Sequence, residues 1–208
     1  MQKVNVIRNS DRAPDDRAPR GPAPHNALTL VVAAAVPLFT CALFGSAAFL
    51  TWLGARAAWL MLPTSLGVPF AFPRLTFHAL VGQPAWNLGI EILAALILAA
   101  VAAWWVHRAL LRRPEANSWR LMLSAWAGIL LGLALANSLR AVAAVLAAGA
   151  GPLAFFSYVF AGALTGALWA LCLGWLCAVP VALIHRLTAR TRPRTQAEPE
   201  AGAENQPS

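Results

Sequence analysis

No charged residue stands between Arg20 and Arg56, between Arg120 and Arg140, or between Arg140 and Arg186. Only 12% of the 208 residues are Asp, Glu, Lys or Arg, while 59% are hydrophobic; soluble domains run at about 25% charged and about 45–50% apolar. The scarcity excludes an ordinary water-soluble domain, because uncharged apolar stretches of this length aggregate in water. The few charges are concentrated in the two tails and one loop.

Reactive motifs are absent as well. The three cysteines, Cys41, Cys172 and Cys177, all lie in apolar runs without Cys-x-x-Cys spacing. They read as small buried hydrophobes and define no redox compartment or metal site. There is no His-Glu-x-x-His, no P-loop, no intramembrane serine protease pattern and no Gly-rich dinucleotide loop after a strand. Gly149 to Gly151 fits a helix break better than a phosphate cradle. His107 and His185 each adjoin an arginine, as basic flanks of helices do, and His25 and His78 fall in a tail and a loop. No metal, haem or other cofactor is expected. The net charge of +8 raises nucleic acid as a partner. No base-reading or stacking motif accompanies it, so none is expected.

What is present is a set of long apolar runs, which predict an all-α, polytopic membrane helix bundle. Four transmembrane helices are expected over 27–53, 86–106, 119–140 and 155–184, each long enough for a hydrocarbon core that needs about 20 residues. Pro37 lies inside the first and Pro180 inside the last. Residues 1–26 and 186–208 are polar and Pro-containing, and read as disordered tails. The first apolar run sits behind a polar leader and exceeds a signal-peptide core of roughly 7–15 residues, so it reads as an uncleaved span. Residues 54–85 carry Pro63, Pro69, Pro73 and Pro84, too many for a regular span. They read as an outer loop with Trp59, Phe70, Phe72 and Phe77 against the interface, a re-entrant course being the alternative. Residues 107–118 form a short basic inner loop.

Charge placement orients the bundle. Lys3, Arg8, Arg12, Arg17 and Arg20 stand in the first tail, Arg108, Arg112, Arg113 and Arg120 around the middle loop, and Arg186, Arg190, Arg192 and Arg194 in the last tail. Only Arg56, Arg74 and Arg140 remain for the other side. The excess of Lys and Arg in cytoplasmic loops therefore puts both termini inside, N-in and C-in. All basic residues but Lys3 are arginine and alanine is abundant, a composition that suits a bacterial genome and hence a bacterial inner (cytoplasmic) membrane.

Small residues recur every fourth position in the last two spans: Ser124, Gly128, Gly132 and Ala136, then Gly162, Gly166, Ala170, Gly174 and Ala178. In lipid, where apolar surface gives no drive to associate, helices meet where small residues let backbones approach. The two stripes predict an antiparallel hairpin joined by the Gly-Pro turn, or a face for a second copy of the chain.

Glu91 is the only acidic residue inside any span, and an intramembrane charge costs about 2.5–3.5 kcal/mol at a helix centre. Arg140 falls at similar depth near the outer end of the third span. Asn87 stands four residues before Glu91 and Asn137 three before Arg140. The four can form an outward-facing polar site for a proton, cation or anion, or a structural ion pair braced by asparagines, which is the cheaper arrangement. With no catalytic constellation, the leading expectation is a non-enzymatic membrane protein, an accessory or assembly component of a membrane complex. The alternative is a small transporter or channel subunit working through Glu91 and Arg140. The expected partners are membrane lipid and either another membrane protein or a homo-oligomer.

Overall fold

A proline and a glycine mark most helix boundaries, and the long helices between them are apolar on every face. The computed structural model describes residues 24–57, 71–76, 84–112 and 117–190. Within these lie five helices and no strand: α1 (Pro24–Gly45), α2 (Ala47–Arg56), α3 (Ala85–Arg112), α4 (Ser118–Ala147) and α5 (Pro152–Arg190). Four of them, over Asn26–Gly45, Ala85–Arg112, Ser118–Ala147 and Pro152–Thr188, are long and apolar enough to cross a membrane. The tails before 24 and after 190 lie outside the described residues, as do Trp59, Phe70 and Phe77.

The helices outrun the expected spans because nothing in the chain stops them at the bilayer edge. α5 has 39 residues, roughly 58 Å at 1.5 Å per residue, well beyond a hydrocarbon core of about 30 Å. The expected inner loop begins as helix, since α3 continues through His107 to Arg112. The α4–α5 turn follows its sequence closely. Gly149 takes the left-handed conformation (φ 63°) and the Ala150 N–H reaches back to the Val145 carbonyl at 3.3 Å, the wider of the two bonds in a glycine-terminated helix end. Pro152 then opens α5 at the one position where its missing N–H costs nothing.

α4 packs against α3 on one side and α5 on the other, while α1 touches both α3 and α5 and closes a ring of four. Leu98, Val106, Leu121, Ile129, Leu133 and Val181 are fully buried inside it. Leu93, Leu96, Leu123, Leu135, Phe156, Phe160 and Leu164 point outward and are exposed. Helices apolar on all sides match an apolar solvent.

The first apolar run differs from the expected single span over 27–53. It breaks after Gly45, and Ser46 caps a separate helix, its Oγ accepting the Phe49 N–H at 3.5 Å. The cause is tertiary. A side chain at 45 would collide with the Leu75 carbonyl oxygen, and the Leu75 N–H donates to the Cys41 carbonyl at 3.1 Å. Residues 71–76 thus lie against the end of α1. Phe72, expected at the interface, is fully buried, its ring 5.3 Å from that of Phe44.

Candidate functional site

Placing 71–76 inside the bundle creates a polar demand. Outside helices and sheets, backbone N–H and C=O groups buried at this depth need partners from side chains. Ala71 is fully buried and has φ 41°, the left-handed region that an alanine adopts only where its surroundings hold it. The partners come from α3 and α4. Asn137 Nδ2 donates to the Ala71 carbonyl at 3.2 Å, and Glu91 Oε2 accepts the Arg74 backbone N–H at 2.7 Å.

The same two side chains are tied together by Arg140. Its Nε donates to Glu91 Oε1 at 2.8 Å, and Nη1 donates to Asn137 Oδ1 at 2.8 Å. Arg140 and Glu91 are 9% and 14% exposed, so the contact is that of a charge-assisted, mostly desolvated pair. A continuous path therefore runs from the Ala71 carbonyl through Asn137, Arg140 and Glu91 to the Arg74 amide. It grips the segment at two points three residues apart.

A buried ion pair repays its desolvation only when its remaining hydrogen-bonding groups are also satisfied. Glu91 meets that condition because both carboxylate oxygens are engaged. Arg74 brings a second guanidinium into the neighbourhood; its Nε is buried and has no hydrogen-bond partner among the described residues.

Of the four polar residues singled out in the sequence, Glu91, Asn137 and Arg140 come together. Asn87 is half-buried one turn earlier on α3, its backbone N–H donating to Pro84 at 3.0 Å. The backbone of Ala71 and Arg74, half of the arrangement, was absent from that set. The density of prolines around it was the available signal, since a segment barred from helix must find other partners for its amides.

The small-residue stripes are used on different faces. Gly128 lies against Trp105 and Ala102 of α3, and Gly132 against Leu98 of α3; Ser124 borders α3 as well. The glycines of α5 meet α4: Gly162 against Asn137 and Ala141, Gly166 against Leu133 and Ala134, Gly174 against Trp126 and Ile129. Ala136, Ala170 and Ala178 are buried, and the Ala170 carbonyl accepts Trp126 Nε1 at 3.0 Å. The two sets of glycines therefore do not face each other. α4 has neighbours on both sides, and α5 fits its glycines to the Ile129–Leu133–Asn137–Ala141 face.

Two further features bear on chemistry. A lateral groove of about 960 Å³ between α1, α2 and α5 is walled by Phe39, Phe44, Phe72 and Trp169, and no charged side chain lines it. Cys41 and Cys177 are buried, whereas Cys172, expected to be buried, is exposed and lines that groove. Among the described residues no three His, Cys, Asp or Glu side chains gather to hold a metal ion.

Fold and site define an all-helical protein of the multi-pass membrane class. Glu91, Asn137 and Arg140 in its interior form one hydrogen-bonded set that holds the backbone of residues 71–76. No protein-family model, curated protein or solved structure matches the chain.

Proposed function

We propose that this is a non-enzymatic, multi-pass protein of a bacterial cytoplasmic membrane, with both tails inside, and that it serves as an accessory or assembly component of a membrane complex. The observation that carries this reading is the engagement of Glu91 at both oxygens, by Arg140 Nε and by the Arg74 amide. The one acidic group within the spans is thereby tied to a guanidinium and a backbone amide of its own chain, which supports a structural use. Among the described residues, no charged side chain lines the lateral groove. A bundle built this way presents surfaces to lipid and to neighbouring proteins.

A second reading, a small transporter or channel subunit working at Glu91 and Arg140, draws on the buried Arg74 Nε, a spare donor that an anion could take. One experiment separates the two. The chain is purified in mild detergent from its native membrane, and the same preparation is reconstituted for flux measurements. The accessory reading expects a membrane-protein partner at fixed stoichiometry, whose assembly fails when the chain is deleted. Reproducible flux from the partnerless chain, abolished by Glu91→Gln, overturns it in favour of transport.

A further inference from the structure

At the end of the bundle away from Glu91, the last turns of α3 and the first turns of α4 enclose a cleft of about 450 Å³. That volume is within the roughly 300–1,000 Å³ range of small-molecule sites. Arg108 and Arg112 line it from α3, Arg120 from α4, and Ser124 and Trp105 form its apolar-to-polar floor. Arg108 and Arg112 are one turn apart on a single face of α3, so both guanidinium groups address the same opening.

Three features give this cleft a ligand chemistry. First, its charged lining is three arginines, and the one described acidic residue, Glu91, lies roughly 26 Å or more away along α3; Glu115, in the loop joining α3 to α4, lies outside the described residues. No described carboxylate neutralises the three arginines. Second, α4 begins here, and Asn117 at its N-cap makes no side-chain capping bond, so the positive end of the helix dipole adds to the field. Third, exposed aromatic residues stand on the same helix ends as the cleft. Trp104 and Trp119 are 50% and 60% exposed, as aromatic rings at a headgroup boundary are, and the Arg108 guanidinium sits 5.4 Å over the Trp104 ring. Leu111, 70% exposed, adds apolar surface at the same end of α3.

The geometry points to this cleft as a binding site for the phosphate headgroup of an anionic phospholipid. Guanidinium groups match phosphate oxygens in forked geometry, and Ser124 adds a hydroxyl donor below them. Trp104, Leu111 and Trp119, exposed on the same helix ends beside the cleft, offer acyl chains an apolar surface that a free phosphate does not need. Basic pockets between helices at this membrane level hold anionic headgroups by the same combination. The site stands apart from the Glu91 arrangement, so either assignment can fail without the other.

The test is native mass spectrometry of the full chain from detergent containing equal phosphatidylglycerol and phosphatidylcholine, with and without millimolar inorganic phosphate. The wild-type chain should carry phosphatidylglycerol adducts in preference to phosphatidylcholine. Arg112→Gln should cut that preference about fivefold, the effect of losing one charge-assisted guanidinium–phosphate contact at a partly exposed site. The triple variant Arg108→Gln/Arg112→Gln/Arg120→Gln should abolish it. Arg186→Gln, which removes an equally exposed charge from the same end but outside the cleft, should leave it within about twofold. An equal loss from Arg186→Gln, or no preference in the wild type, overturns the site. Displacement of the lipid by inorganic phosphate overturns the lipid assignment and makes the ligand a soluble phosphate. All the replaced side chains are exposed, so each variant should elute as the wild type does.

Discussion

Glu91 and Arg140 sit where two antiparallel helices bring equal depths together, and that much follows from counting residues from the helix ends. Their partners do not, because the Ala71 carbonyl and Arg74 amide belong to a stretch whose path depends on tertiary packing. The energetic consequence is specific. Removing one member of a buried pair leaves an uncompensated charge and costs about 3–5 kcal/mol. Glu91→Gln and Arg140→Gln should each lower the melting temperature in detergent sharply. The double variant should lose clearly less than the sum, since neither charge is then stranded. Additive losses would show that the two side chains act independently.

At the scale of elements, the long helices were legible from their apolar runs, but their ends and their faces were less so. The division after Gly45 was marked only by a glycine and an N-cap serine, a weak local signal, and the Leu75 carbonyl occupies the space a side chain at 45 would need. The four-residue spacing of small residues identified helices that approach closely, yet periodicity carries no information about which neighbour a stripe meets. α4 shows why: its glycines take α3, while Gly162 and Gly166 of α5 meet its backbone at Asn137 and Leu133 and Gly174 meets Trp126 and Ile129. A Cβ at 166 would lie 2.5 Å from the Leu133 carbonyl oxygen, and one at 162 would lie 2.8 Å from that of Asn137. Backbone atoms of packed helices cannot give way, so Gly166→Ala and Gly166→Ile should each destabilise by about 1–3 kcal/mol or more, in rising order. Gly89, with nothing within 4 Å, is the control; Gly89→Ala should be neutral or stabilising by up to about 1 kcal/mol. Thermal melts of the set in one detergent decide it. An unchanged melt for Gly166→Ile would mean that the α4–α5 contact contributes little.

For the whole molecule, the buried segment between α2 and α3 lets a four-helix ring hold non-helical chain at depth. Apolar side chains cover the outside, the polar side chains of three positions secure the inside, and Phe72 fills the space beside α1. Composition made the membrane class legible, because an exterior of leucine and phenylalanine has no other compatible solvent. The inward turn of 71–76 was not, since an apolar stretch containing prolines can lie on an interface or fold into a bundle with the same composition. Its position rests on Glu91 and Asn137, so the arrangement is open to direct challenge. The decisive measurement is the labelling rate of Arg74→Cys by a membrane-impermeant thiol reagent in detergent. It is made in a Cys172→Ala background, the other two cysteines being buried. A segment held by Glu91 predicts slow labelling, accelerated at least about tenfold when Glu91→Gln is added, as expected for losing more than about 1.4 kcal/mol of closure. Equally rapid labelling with and without Glu91 would contradict the role assigned to it.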